Sequence, residues 1–455
     1  LKCFRCSILK TTGQEANVSH SSNLFIYGRP VRSGEFLNRE GELRTIFNRL
    51  HNCESTAVVG EPHIGKSSLL LQLAEKTVQQ AYLGAESQSL VVSLLDLHPI
   101  SNDHTPLVFW NEALEPLREL DDPIAEQHLE HISEASHVRR SLESLFDHLS
   151  HQKRRLVLLL DEFERLLIHP NFQDPSFFAL LRSLATRTGG LALVITSRLS
   201  VGDFNEWGHS LLKTDSISGS PYFNNLIEVR LRPFDEKTVG ELLNRAGDIL
   251  SPDDRRFVRR LAGRHPFLLQ AMAAALTETP GNQRHSLAAE RFYERIAFHF
   301  DDLWRTLDDR TRTTAVILSL VELGGQALGR SFAYGEIEKA DAFGPELRRL
   351  AERGLAEQVG QGWQFDWQHL LLWRGERWTV GAQAFTWWVR DVVIAGTRQV
   401  PAYDEWLINK RYLIPGLLTQ QQWDWLVGTV RKAPDWLAKG IGELARALLD
   451  ALLKG

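Results

Sequence analysis

The sequence predicts an α/β core, a parallel sheet with helices on both faces, followed by an all-α lid and a smaller C-terminal part. Three observations predict it. Short apolar runs read as strands buried on both faces: STAVVG (55–60), SLVVSLLDL (89–97), RRLVLLLDEFERL (154–166), LALVITSR (191–198) and LIEVRL (226–231). Helical stretches separate them, which is the alternation that parallel crossovers require. After Pro233 the strand series stops and helical periodicity alone runs to about position 306.

Taken in order, residues 1–35 are polar and irregular. FLNREGELRTIFNRL (36–50) reads as a helix with Leu43, Ile46, Phe47 and Leu50 on one face. A helix from Gly65 to about Val78 follows the first strand, residues 106–150 read as helical throughout, and a further helix lies near 176–187. The polar stretch carrying Gly202, Gly208, Gly219 and Pro221 reads as a loop. Helices near 235–247, 252–262, 266–277 and 287–306 form the lid. From about 308 to 372, three helices and a short hairpin candidate, AEQVGQGWQFDW (356–367), have the order of a winged helix. Ten of the thirteen tryptophans lie at or after Trp363, so the rest reads as a Trp-rich helical region whose rings are core. Its last stretch, 437–455, reads as an amphipathic helix packed on its own domain, with a partner or oligomer surface as the alternative. The expected organisation is an irregular segment 1–35, a core 36–232, a helical lid 233–307, a winged helix 308–375 and a Trp-rich helical region 376–455.

Composition bounds the function. Apolar residues at 43% and charged residues at 24% describe an ordinary globular chain of 455 residues. A net charge of -5 exerts no global pull on nucleic acid or anionic membrane. Three cysteines, Cys3, Cys6 and Cys53, are too few for a disulfide framework and suit a reducing compartment. No apolar run reaches the length of a membrane span, so the expected location is the cytoplasm, without membrane contact. The histidines between His128 and His151 read as solvated helix residues rather than a metal site.

The chemistry is concentrated at three strand ends. Gly60-Glu-Pro-His-Ile-Gly65-Lys66-Ser67 matches GxxxxGK[ST] between a strand and a helix. Its glycines let successive backbone N–H groups turn toward phosphate oxygens at a helix N-terminus. Lys66 reaches the β- and γ-phosphates, the Ser67 hydroxyl reaches Mg²⁺, and Ser68 follows in the same turn. The strand LVLLL ends in Asp161, placed to hold Mg²⁺ through water, and Glu162, placed to polarise the attacking water. In a parallel sheet both lie on the edge that carries the phosphate loop. Arg198, ending the strand LALVITS, lies on that edge as well and can sense the γ-phosphate.

These motifs, in this order, resemble the STAND class of P-loop ATPases, the signal-transduction ATPases with numerous domains, over roughly residues 24–375. Tyr27-Gly28-Arg-Pro30-Val31 through Asn38-Arg39-Glu40 is similar to that family's leading segment, with Asn38 where the family usually has glycine. Leu231-Arg-Pro233-Phe234 resembles its passage from core to lid, and Gly263-Arg-His-Pro266 resembles its GxP motif. The resemblance implies an α/β P-loop NTPase core with a lid and a winged helix, ATP/ADP with Mg²⁺ as cofactors, and Pro266 against the nucleotide. It also implies a switch in which ADP holds the parts closed, ATP opens them for self-assembly, and slow hydrolysis resets them. No sensor or effector stretch is recognisable, so either protein partners supply them or the chain is truncated. The alternative is a DNA-associated ATPase using the winged helix. It is the weaker expectation, because the recognition-helix candidate at 345–357 balances Arg348, Arg349 and Arg353 with Glu346, Glu352 and Glu357.

Overall fold

The computed structural model describes residues 24–212, 223–281, 283–327, 344–366 and 371–394. Its core begins with α1 (Glu40–His51), β1 (Thr56–Val59), α2 (Lys66–Ala74), α3 (Lys76–Leu83) and β2 (Leu90–Asp96). It continues with α4 (Pro106–Leu114), α5 (Pro123–Ser133), α6 (Val138–His151), β3 (Arg155–Asp161), α7 (Glu164–Ile168) and α8 (Ser176–Arg187). It closes with β4 (Leu191–Ser197), α9 (Val201–Leu212) and β5 (Ile227–Arg230). The strands pair in the order β2-β3-β4-β1-β5, all parallel.

Both faces of the sheet are covered, which is why its strands are continuously apolar. Val58, Val157, Leu159, Ala192 and Val194 pack against α1 and α2. Their neighbours Ala57, Val59, Leu156, Leu158, Leu160, Leu193 and Ile195 point the other way, toward α4, α5, α6 and α8. Each fully buried Val, Leu or Ile of the sheet contributes about 1.5–3 kcal/mol of burial. The register aligns Val59 with Ser197 and Leu160 with Ile195. The chain therefore leaves β1, β3 and β4 at one carboxyl edge.

Four local readings are corrected. The first helix begins at Glu40 rather than Phe36, because Asn38 (φ 60°) and Arg39 (φ 79°) are left-handed and cannot continue a helix. Asn tolerates that conformation better than most residues, so it stands in for glycine there. The helix expected over 65–78 breaks at Glu75, whose ψ of 120° is extended. The helical run expected over 106–150 is interrupted by a 3₁₀ turn at Glu115–Glu119 and restarted by Asp122, whose carboxylate caps α5. The stretch read as a loop starts with α9, in which Gly202 and Gly208 are helical. Ser200 and Asp203 exchange side-chain to backbone hydrogen bonds at its start, and Phe204 is buried against Phe163 and Phe223. Capping and burial outweigh the glycine cost. Gly219 and Pro221 lie outside the described residues.

After the sheet come α10 (Glu236–Asn244), α11 (Pro252–Ala262), α12 (Pro266–Thr277), α13 (Arg284–Thr306), α14 (Asp309–Ala327) and α15 (Gly344–Glu352). The antiparallel pair β6 (Ala356–Asp366) and β7 (Leu371–Val380) follows, then α16 (Gln383–Trp388) and a π-helical turn to Ile394. The hairpin placed within 356–367 is thus a single arm, paired with a strand beyond it. One apolar cluster runs through these elements, and Trp304, Trp387 and Trp388 are buried in it. Gly263, Gly354 and Gly381 meet backbone to backbone: a Cβ on Gly263 would stand 2.5 Å from the Gly381 carbonyl oxygen. Arg259 and Arg264 clamp the same junction onto Glu357. No helix among the described residues is long and apolar enough to cross a membrane. Cys3, Cys6, Trp406 and the helix expected at 437–455 lie outside the described residues.

Candidate nucleotide site

The phosphate loop leaves β1 at Gly60. A Cβ there would stand 2.9 Å from the Ile64 side chain and 3.1 Å from the Leu231 carbonyl oxygen, so a larger residue would force both to shift. Gly65 adopts φ 104° as the N-cap of α2. Lys66 opens α2 and is only 8% exposed. Its ammonium donates to the Gly60 and Glu61 carbonyls at 2.7 and 2.9 Å. Burial pushes the Lys66 ammonium down to about 8, against the pull of the Glu164 and Glu61 carboxylates. Ser67 lines the cleft. Ser68 also lines it, and its hydroxyl accepts the Val31 N–H at 3.1 Å, tying the N-terminal segment to α2.

The ends of β3 and β4 face this loop. Asp161 accepts a short hydrogen bond from the Thr196 hydroxyl, and the Glu162 N–H donates to that hydroxyl at 3.0 Å. Glu162 is left-handed at φ 55°. Its carboxylate lies 2.9 Å from His98 Nδ1 and accepts from Arg165 at 3.2 Å. Burial alone raises the Glu162 carboxyl, but the hydrogen bonds and charges of His98 and Arg165 outweigh it and hold the group below its usual value. Glu164 accepts the Arg198 N–H through one oxygen at 3.3 Å, while its other oxygen is buried with no partner among the described residues. Lys66, Ser67, Asp161, Glu162, Glu164 and Arg198 line one cleft.

The opposite end of this cleft, about 540 Å³ in volume, is built from remote segments. Residues 26–31 line it. The Ile26 N–H donates to Gln270 of α12 at 3.0 Å, and Arg295 of α13 donates to the Tyr27 hydroxyl at 3.1 Å. Pro266 opens α12 and lines the cleft beside Phe267, which stacks on His63 of the phosphate loop at 4.7 Å. Arg39 is buried among these parts. Its guanidinium donates to the Arg232 carbonyl at 2.7 Å, pairs with Glu42 and stands 5.2 Å from the Phe234 ring.

Three imidazoles join loop and lid. His299 of α13 lies 5.0 Å from His265 and 5.7 Å from His63, ring centre to ring centre. The ring nitrogens of His265 and His299 have no hydrogen-bond partner among the described residues. Burial holds His265 well below the usual histidine range, followed by the charges of His299, His63, Arg39 and Lys66. Burial also pushes His299 to about 3 and lowers His63.

The cleft thus collects every site residue expected from the sequence: Gly60, Gly65, Lys66, Ser67, Ser68, Asp161, Glu162, Arg198 and Pro266 are all at it or in its loop. Sequence reasoning missed Glu164, Gln270, Arg295 and His98. Only Glu164 left a signal, as the third acid in Asp161-Glu162-Phe163-Glu164. The others belong to elements whose approach no spacing announces.

A phosphate loop at the carboxyl edge of a parallel sheet, faced by strand-end acids and followed by helices, is the arrangement of a P-loop NTPase α/β core. Residues 35–195 match the family model described as AAA ATPase domain. No curated protein is matched by the sequence. Among solved structures, the chain is similar to the Walker-type ATPase PABY2304 of Pyrococcus abyssi, at 17% identity and a TM-score of 0.49, covering 81% of this chain and 99% of that one. It is similar to the Aeropyrum pernix ORC2 protein in ADPNP–ADP complexes, at 13% identity and a TM-score of 0.45, covering 86% and 98%. It is also similar to a STAND protein with a tetratricopeptide repeat sensor from Pyrococcus horikoshii, at 16% identity and a TM-score of 0.33, covering 91% of this chain and 51% of that one.

Proposed function

We propose that this chain is an ATP-binding, slowly hydrolysing molecular switch of the STAND type, whose ADP or ATP state controls domain opening and assembly. One observation carries the reading: a single cleft is lined by the phosphate loop, the N-terminal segment and the lid. The phosphate loop is also bound to the region beyond the lid, because Glu61 pairs with Arg353, just past α15, at 3.2 Å. A nucleotide in this cleft touches the parts that a switch must hold together or release. The domain limits at 232, 307 and 375, and the winged helix between the last two, belong to this reading.

Roles follow from the chemistry of each group. Lys66 neutralises the β- and γ-phosphates, which requires its ammonium to leave the loop carbonyls it now binds. The hydroxyl of Ser67 and the carboxylate of Asp161 are hard donors suited to Mg²⁺ and its water shell. Bound there, Mg²⁺ supplies positive charge to the β- and γ-phosphate oxygens. Glu162 polarises water once it parts from His98 and Arg165, Arg198 reads the γ-phosphate, and Pro266 borders the base. Protein partners supply sensor and effector, and copies of the chain assemble in the ATP state.

The nucleotide content of the purified protein tests the switch. Near-stoichiometric ADP, released on denaturation, is the expected result. An empty cleft together with ATPase activity stimulated by duplex DNA would replace the switch with the DNA-associated ATPase. That second reading has less support, because Arg349 and Arg353 are already paired with Asp308 and Glu61.

A further inference from the structure

We infer that Glu164 is a catalytic carboxylate of this site, accepting the proton of the water that attacks the terminal phosphate. The inference rests on the ATPase reading above. Glu164 stands just past the carboxyl end of β3 and lines the same cleft as Lys66, Ser67 and Arg198. Its two oxygens have different fates. One is fixed by the Arg198 N–H, which orients the carboxylate; the other is buried without a partner among the described residues. Burying a carboxylate oxygen without a hydrogen bond is costly, and such groups are retained where a ligand or water completes them.

The other two acids at this edge are engaged. Asp161 holds the Thr196 hydroxyl, and Glu162 is turned by its left-handed backbone toward His98 and Arg165. Glu164 and Lys66 line the same cleft, and among the acids Glu164 acts most strongly on the Lys66 ammonium. A water between the buried oxygen of Glu164 and the γ-phosphate is hydrogen-bonded by the one and aimed at the other. The water oxygen bonds to the γ-phosphorus as the bond from phosphorus to the β–γ bridging oxygen breaks. ADP departs with that electron pair, inorganic phosphate is the second product, and the water's proton passes to Glu164 and then to phosphate or solvent.

The test compares wild type with Glu164→Gln, in the full chain, by equilibrium ATP binding, single-turnover hydrolysis and thermal midpoint. Glutamine keeps an acceptor for the Arg198 N–H and removes the basic oxygen. The expected result is ATP affinity within about threefold of wild type, an unchanged midpoint, and a turnover rate lower by about a hundredfold, the usual scale of a general base. Non-additive losses with Glu162→Gln would show that both carboxylates act on one water. A fall in turnover of less than about tenfold overturns the assignment. So does lost turnover that comes with equally lost ATP binding or a lower midpoint, which makes Glu164 structural. A wild-type chain that binds ATP without hydrolysing it removes this role but leaves the nucleotide site standing. One that binds no ATP removes the ATPase reading itself.

Discussion

The two ends of the cleft are built in opposite ways. The phosphate end comes from neighbouring strand ends of one sheet, within short runs of sequence: 60–68, 161–164 and 196–198. The far end is assembled from residues 26–31, 234, 266–270 and 295–298, which meet only when the lid packs down. The phosphate end is therefore preorganised by the core, while the far end exists only as long as core and lid stay together. On the switch proposed above, a nucleotide's contacts at the far end are also contacts with the helices after the sheet, which would link binding to closure.

Several perturbations break or sharpen this contrast. Lys66→Ala removes the charge at the preorganised end and is expected to weaken nucleotide binding by more than about a hundredfold, since a buried charge-assisted contact is lost. Calorimetric titration reads it, and tight binding by the variant would sink the phosphate-loop assignment. Glu162→Gln is expected to keep ATP and lose turnover by about two orders of magnitude in single-turnover assays. Undiminished turnover moves the chemistry to another residue, Glu164 first.

Acid acts on the junction of the two ends. His265 and His299 are held neutral by burial, with His299 at about 3, so their folded values lie below the unfolded value of about 6.5. The unfolded chain then binds more protons, and stability falls as pH drops from about 6.5 toward the folded values, by about 1.4 kcal/mol per pH unit for each fully shifted histidine. Urea unfolding at pH 7 and pH 5 measures the loss, and His299→Phe should remove part of it. An unchanged pH dependence in that variant would show that His299 takes no part. Arg198→Ala should shrink the preference for ATP over ADP by about tenfold, the worth of one charged contact to the γ-phosphate. Competition titrations check this, and equal discrimination refutes the sensing role. Smallest is Gln270→Leu, which unties Ile26 from α12 and should weaken ATP binding by about fivefold, the worth of one hydrogen bond. No change would mean that the N-terminal segment is held by its core contacts alone.

How much was legible follows the same line. The phosphate loop could be read because its chemistry demands fixed residue types at fixed spacing, and the strands because burial on both faces makes them continuously apolar. Asn38 and Arg39 illustrate the limit. Their positive φ delays α1 by several residues, and nothing in a periodic apolar pattern encodes a backbone sign. The start of α9 was misread because Gly202 and Gly208 outweighed the Ser200–Asp203 cap and the buried Phe204. The second arm of the hairpin, β7, lacked the alternation that marks a half-buried strand. Gln270 carries no signal at all: its value lies in an amide oxygen that reaches an N–H 244 positions away.

The sequence by itself determined a parallel α/β core with a phosphate loop, an acid pair and an arginine on one edge, and a helical lid after it. Those properties rest on local spacing and on the period of burial, which a linear chain carries explicitly. Tertiary structure alone decided that Glu162 turns to His98 and Arg165 while one Glu164 oxygen is buried with no partner among the described residues. It also decided that Phe267 stacks on His63 and that residues 26–31 bridge core and lid. These depend on the directions of side chains and on contacts between distant elements, which are set by packing after the chain has folded.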